Sequence, residues 1–360
     1  MKRRLTPSVV AVSTFAGFAL LNPVHAQETD AQLRQLQERL ERLEQNQVSI
    51  PEQVTFSGLI ETEAGYADAP GGGSTSDIVL ATAEFGIQAA INDWIQAGTV
   101  FLYEEDDTPL EVDVGLIRLG NLEKSPYYLQ AGQYYVPFGN FGTAMVSDPM
   151  TLEIGETRES AIQLGFEQGP MHAALYTFNG DTTDGDEDRI DQFGAKFGYS
   201  TGGLNAEAGY LSNLADSDSI QGALPTTTVA DYVGAATLYA DYQAGPFKVI
   251  GEYLGATDPF DAAQLAFDGD GAEPQAANIE GNYATRLAGL PATIALGYQQ
   301  TDEALALGLP ASRALTAVSV EIHPQASVSL EWARDDDYDR DEGGTGEESD
   351  TVTLQLAAEF

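Results

Sequence analysis

The chain has 360 residues, 56 acids against 16 bases, a formal net charge of -40, no cysteine and 43% hydrophobic residues. Such a charge repels phosphate backbones, which excludes nucleic-acid binding through a basic face. The lack of cysteine removes disulfide frameworks, thiolate catalysis and cysteine-ligated metal centres, and three histidines are too few for a His-rich metal site, so no cofactor and no metal are expected.

Lys2, Arg3 and Arg4 form a basic n-region, Val9 to Leu21 an apolar h-region, and Val24-His25-Ala26 a small-residue cleavage site. This pattern predicts a secretory signal peptide over residues 1–26. Its thirteen apolar residues fall short of the ~20 that span a bilayer, and no later stretch approaches that length, so any membrane role must use β structure. In residues 27–50, Leu33, Leu36, Leu40 and Leu43 repeat at three, four and three, the a/d seam of a coiled coil. Fewer than three heptads make an isolated dimer marginal. The segment reads as a short periplasmic trimer stalk or, with equal weight, as a single amphipathic spacer helix, and Pro51 ends it.

Residues 51–360 change to period two. In Asp77 to Ile91, Val79, Ala81, Ala83, Phe85, Ile87, Ala89 and Ile91 share one face and Leu80, Thr82, Glu84, Gly86, Gln88 and Ala90 the other. Candidate strands fall near 52–66, 77–91, 94–105, 109–121, 126–136, 159–168, 171–179 and 191–200. Eight more fall near 204–214, 230–243, 246–257, 276–288, 292–302, 311–323, 326–336 and 350–360. A soluble sandwich also alternates, but an even count of sixteen lets an antiparallel barrel close.

The connections sort into two classes. Asn92-Asp93, Gln168-Gly169-Pro170, Thr201-Gly202-Gly203, Gly245-Pro246, Leu290-Pro291 and Pro324-Gln325 are short and read as periplasmic turns. Glu104 to Pro109, Asn179 to Ile190, Asp258 to Gln275 and Asp335 to Asp350 are longer and acidic, the last with nine acids and one base. This asymmetry predicts an all-β chain: a sixteen-stranded antiparallel transmembrane barrel of the bacterial outer membrane, preceded by the short helical coiled-coil segment. The final strand alternates Val352, Leu354, Leu356, Ala358 and Phe360. Its terminal aromatic resembles the signal recognised by the barrel assembly machinery, and outer-membrane lipid and lipopolysaccharide are the expected surroundings.

A charge facing lipid costs roughly 2–4 kcal/mol at the midplane. Glu84, Lys196, Glu207, Glu252, Glu280 and Arg286 fall on the non-lipid phase. Arg118 instead shares phase with Val112, Val114 and Leu116, which places it at the periplasmic interface or demands a bulge near Gly115.

Several runs resemble a known family: Phe101-Leu-Tyr-Glu-Glu-Asp-Asp107, Leu119 to Tyr127, Gly132-Gln-Tyr-Tyr-Val-Pro-Phe-Gly-Asn140 and Ser147 to Ser160, joined by Thr301 to Pro310 and Gly343 to Glu348. Together they are similar to the LbtU family of siderophore porins over nearly the full length. The resemblance implies a sixteen-stranded outer-membrane barrel associated with uptake of a ferric polycarboxylate siderophore. Val114 and Arg118 depart from the acidic and small polar residues expected there. A 22-stranded TonB-dependent receptor is excluded by length, since ~220 residues of strand would leave too little for loops and a plug.

The longest connection, Pro137 to Ser160, holds Phe138, Phe141, Met145, Leu152 and Ile154. It is expected either to fold into the barrel as a constriction, with Asp148, Glu153, Glu156 and Arg158 near the pore, or, with equal weight, to cap the rim or pack at a subunit contact. Glu84, Lys196, Glu207, Glu252, Glu280, Arg286 and Arg313 are the expected lumen lining. The inward phase as a whole is acidic and favours cations, which conflicts with an anionic ferric siderophore. The leading expectation is therefore a diffusion channel for ferric siderophores. The alternative is a general or substrate-specific cation-leaning porin for small hydrophilic solutes, and the stalk would allow a homotrimer. Asp181-Thr-Thr-Asp184-Gly185-Asp186 breaks the EF-hand order and reads as a solvated acidic loop. His172 and His323 lie beside predicted turns without a recognisable serine motif, so no enzyme is expected.

Overall fold

The computed structural model describes residues 53–68, 72–185 and 189–360. The expected signal peptide and leucine seam (Leu33, Leu36, Leu40, Leu43) lie outside the described residues, as do Asp186, Glu187 and Asp188.

Among the described residues eighteen strands follow in chain order: β1 (Val54–Asp68), β2 (Ser74–Asn92), β3 (Ile95–Tyr103), β4 (Glu111–Gly120), β5 (Tyr127–Tyr135), β6 (Arg158–Gln168), β7 (Met171–Phe178), β8 (Gln192–Thr201), β9 (Leu204–Leu211), β10 (Ala235–Ala244), β11 (Phe247–Ala256), β12 (Ala266–Phe267), β13 (Asp270–Gly271), β14 (Gln275–Leu287), β15 (Leu290–Asp302), β16 (Ser312–His323), β17 (Ala326–Asp336) and β18 (Glu348–Glu359). Sixteen form one closed barrel in which each strand pairs with its sequence neighbour, while β12 and β13 make a separate hairpin in the loop between β11 and β14. The antiparallel β1–β18 pair closes the circle, so no edge is left unpaired. All sixteen expected strands are present. Short helices α1 (Met150–Gly155) and α2 (Asp218–Ala223) lie in connections. Among the described residues, no helix is long and apolar enough to cross a membrane.

The turns follow from backbone chemistry. Gly202-Gly203 and Ala288-Gly289 hold both central residues at positive φ, the type I′ geometry whose twist matches the flanking strands. The latter is a correction: Leu290 and Pro291 belong to β15, and the reversal comes two residues earlier because Gly289 tolerates φ 88.

The exterior carries the apolar phase, with Ile117, Ile162, Leu238, Ile279, Leu296 and Leu330 exposed. Aromatics flank this band. Tyr127 with Phe166 and Phe247 with Tyr283 pair at the turn end, with ring centroids 5.3 and 4.9 Å apart. Tyr66, Phe193, Tyr210, Tyr253 and Trp332 stand exposed toward the opposite end. This is the surface that a bilayer-spanning barrel presents.

Of the four register shifts among the described strand pairs, two bear on the passage. Between Glu61 and Glu63 the β1–β2 register shifts by one, so Ile78 rather than Val79 points outward, at 71% exposure. Between Val100 and Phe101 the β3–β4 register skips Asp113. Val112 therefore faces out, whereas Val114, Leu116 and Arg118 turn inward. A bulge does account for Arg118, at Asp113 rather than at Gly115.

The hydrophobic core sits inside the barrel. Phe138, Met150 and Ile154 pack with Phe178, Leu211, Leu214, Ile220 and Leu254, all at 1% exposure or less. Part of this core comes from the connection 212–234. The expected strands 204–214 and 230–243 are shorter than predicted: β9 stops at Leu211 and β10 starts at Ala235, and the residues between carry α2 inward.

Candidate functional site: a stapled loop and an acid-lined passage

The connection 136–157 leaves β5 and turns into the barrel, where the inner wall holds it at regular steps. Asn140 N–H donates to Glu252 Oε1 (2.8 Å) and Phe141 N–H to Glu252 Oε2 (3.0 Å). Three residues on, Thr143 Oγ1 and Ala144 N–H donate to Glu280 (2.5 and 2.9 Å). Three further on, Val146 N–H donates to Glu331 Oε2 (2.6 Å), and the N–H and hydroxyl of Ser147 both reach the same carboxylate. Met150 N–H then donates to Gln299 Oε1 (3.1 Å), and Thr151 Oγ1 returns to Glu252 (3.2 Å). On the opposite flank, Lys196 Nζ donates to Gly139 O (2.9 Å) and Thr237 Oγ1 to Phe138 O (2.9 Å). The loop thus supplies hydrogen-bond donors to each of these buried wall carboxylates. At Gly155 the helix approaches β11 so closely that a Cβ would lie 2.2 Å from Leu254 Cδ1.

This corrects the expected role of two lining residues. Glu252 and Glu280 point inward as predicted, but the loop covers them to 4% and 1% exposure, so they hold the loop instead of facing an open lumen. Lys196 and Glu207 also offset each other, at 2.5 Å, with His172 Nε2 3.3 Å from the same carboxylate. Arg313 makes a two-point pair with Asp335, at 2.6 and 2.9 Å. Arg286 sits exposed at the turn end of β14, donating to Gly289 O (3.4 Å). Glu84 remains half-buried on the lumen side with neither hydrogen-bond nor ion-pair partner among the described residues.

Asp148, Glu153, Glu156 and Arg158 are brought together. They line one cavity of 370 Å³ with Glu104, Asp107, Glu111 and Asp218, giving seven acids to one base. Arg158 Nη1 lies 2.5 Å from Glu111 and 3.1 Å from Asp113, whose carboxylate also accepts from Tyr135 (2.8 Å). The remaining acids repel one another. Burial, reinforced by Glu104, Glu63 and Glu331, raises the Asp148 pKa. Burial and Asp148 raise that of Glu153, with Arg313 opposing. Burial, followed by Asp218 and Asp148, pushes Glu156 up to about 7. Asp218 enters from the inward-folded connection 212–234, its N–H donating to Glu156 O (3.0 Å). Nothing in the local sequence around Asp218 marks it as a partner of Glu156. Among the described residues, no group of three or more His, Asp or Glu side chains is arranged to hold a metal ion.

A closed sixteen-stranded barrel with an apolar exterior, an inward-folded loop and a polar passage defines a porin-type channel fold. No family model matches the chain. The chain is 32% identical over 358 residues to the UPF0422 protein of Coxiella burnetii, covering 94% of this chain and 77% of that one. It is 30% identical over 355 residues to the UPF0422 protein lpg2959 of Legionella pneumophila, covering 85% of this chain and 66% of that one. The chain belongs to the UPF0422 family. Among solved structures it is similar to the anion-selective porin from Comamonas acidovorans (TM-score 0.62, 14% identity, 85% of this chain and 99% of that one). It is also similar to the outer membrane channel DcaP of Acinetobacter baumannii (0.58, 17%, 85% and 97%) and to a trimer form of OmpT of Vibrio cholerae (0.53, 12%, 85% and 99%). At these identities the likeness is one of fold.

Proposed function

We propose that the protein is an outer-membrane diffusion channel whose narrowest part is the gap between the stapled loop and the β1–β4 wall, and that it favours small cationic solutes. The observation that supports this most is the cavity at the loop, where seven acids outnumber Arg158. Fixed carboxylates concentrate cations and raise a barrier to anions, more so at low salt, where the Debye length reaches ~30 Å. Residues 1–26 would direct export, residues 27–50 would form the stalk or spacer, and the barrel would reach the outer membrane through the assembly machinery, there meeting lipid and lipopolysaccharide. A homotrimer fits the leucine seam and the trimer form of OmpT.

Uptake of a ferric siderophore, which the LbtU resemblance implies, ranks second, because an anionic ferric polycarboxylate would have to pass the acid-lined gap. The purified chain in planar bilayers tests both. In a salt gradient the reversal potential is expected to have the sign of a cation-preferring pore. An anion-preferring sign would reject the leading reading, and block of the current by a ferric polycarboxylate would restore the siderophore reading.

A further inference from the structure

In a chain with 56 acids and 16 bases, an inward-facing arginine without a carboxylate stands out. Arg118 is such a residue: no acid lies within ion-pair distance of it among the described residues, and its one hydrogen bond is Nε to Gln130 Oε1 (3.1 Å). The surroundings hold it in place. Its guanidinium lies 4.2 Å from the centroid of the Tyr128 ring. The other side of that ring rests on Gly165, where a Cβ would come within 2.0 Å of Tyr128 Cζ. Gln163 Nε2 fixes the ring by donating to its hydroxyl (3.0 Å).

The register extends this into a row. Gln96 on β3 pairs with Arg118 on β4, Arg118 with Gln130 on β5, and Gln130 with Gln163 on β6. The row therefore reads amide, guanidinium, amide, amide across the turn-side lumen wall, with no carboxylate in it. Arg118 borders two neighbouring cavities, of 320 and 430 Å³. The second also holds Lys124, paired to Asp93 at 3.5 Å, and Glu123. With Nε engaged and one face stacked, the terminal nitrogens of Arg118 have no hydrogen-bond acceptor among the described residues, and a guanidinium fork suits a planar carboxylate.

We infer that Arg118, flanked by Gln96 and Gln130, is a carboxylate-binding station in the turn-side vestibule, and that the solutes it selects carry both an ammonium and a carboxylate. The second half of this inference rests on the acid-lined gap proposed above. A free anion is disfavoured at the gap and a plain cation gains nothing at Arg118, whereas a zwitterion of amino-acid type is accepted by both.

The test uses three labelled probes of nearly equal size in proteoliposomes, with protein-free vesicles as background: choline (cation), glycine betaine (zwitterion) and 3,3-dimethylbutyrate (anion). Arg118→Gln is expected to lower betaine uptake by ~3-fold or more, the loss of a charge-assisted pair, while choline uptake does not fall, because the variant removes a positive charge from the lumen. Arg118→Lys, which keeps the charge and loses the fork, should fall between. Undiminished choline uptake also reports an intact barrel. Betaine and choline falling together, or betaine uptake staying undiminished, overturns the station. Faster entry of 3,3-dimethylbutyrate than of choline in the unaltered protein overturns the acid-gap reading instead, and with it the zwitterion preference, while leaving the Arg118 contrast to be read separately from betaine.

Discussion

The β11–β17 wall and the β1–β4 wall both carry glutamates at mid-strand on the inward phase, yet these do different work. On the first, Glu252, Glu280 and Glu331 are covered by the loop and take its N–H groups. On the second, Glu84 stays open to the passage, and Glu63 has one hydrogen bond, from Gln355 Nε2 (2.9 Å). Inward phase decides only which way a carboxylate points. Whether it acts as pore charge or as an anchor depends on what lies across from it, and here that neighbour comes from more than 100 residues away along the chain.

The sharpest way to break this contrast is Glu252→Ala. It strands two backbone N–H groups and the Thr151 hydroxyl, and is expected to cost about 2–5 kcal/mol and to enlarge and destabilise the single-channel current. A normal thermal unfolding profile with unchanged conductance would mean that the staple holds nothing. Next in size is Gly132→Ala, beside the open wall. Gly132 has φ 143, and a Cβ would lie 2.1 Å from Gly115 O, so a loss of about 1–3 kcal/mol should appear as earlier unfolding in gel-shift assays of the heated barrel.

Acidification probes the gap itself. Glu156, with its pKa raised to about 7, loses charge as pH falls from 8 to 5, so cation preference should decline with a midpoint near neutrality, and Glu156→Gln should flatten that step. The sign for stability follows from linkage. A carboxyl raised in the folded state favours folding fully below its unfolded pKa and loses that contribution as pH rises through about 7, so the barrel should gain stability on mild acidification from this group. Smaller is the paired comparison of Glu84→Gln with Glu280→Gln. At low salt the first should lower the cation-to-anion permeability ratio on the order of twofold, whereas the second should leave it nearly unchanged while loosening the loop. Equal effects on selectivity would erase the distinction between the walls. Smallest is Lys124→Gln: its pair with Asp93 is exposed, and removing it should change stability by less than ~1 kcal/mol, within the error of a melting curve.

Most of the barrel was legible because strands buried on neither face alternate, and turns such as Gly202-Gly203 announce themselves by composition. Bulges were less visible. One extra residue at Asp113 inverts the phase of everything before it, and only the misfit of Arg118 hinted at it. The connection 212–234 was visible in part, but its inward fold was not, because the interior core that Leu214 and Ile220 join is built from distant segments. The candidate site was half legible. Asp148, Glu153, Glu156 and Arg158 do gather at one cavity, but Asp218 comes from a connection that sequence alone assigned partly to strands. The reach of the glutamate staples depends on long-range proximity, which no local pattern encodes.

The staples grip the loop chiefly by its main chain, through the N–H groups of Asn140, Phe141, Ala144, Val146, Ser147 and Met150. A backbone N–H is available from every residue except proline. The barrel thus fixes the path of the loop largely without dictating its side chains, so holding and sieving are separable tasks. Relatives could exchange the residues that meet the solute, and with them the cargo, while the same three wall carboxylates keep the passage in the same place.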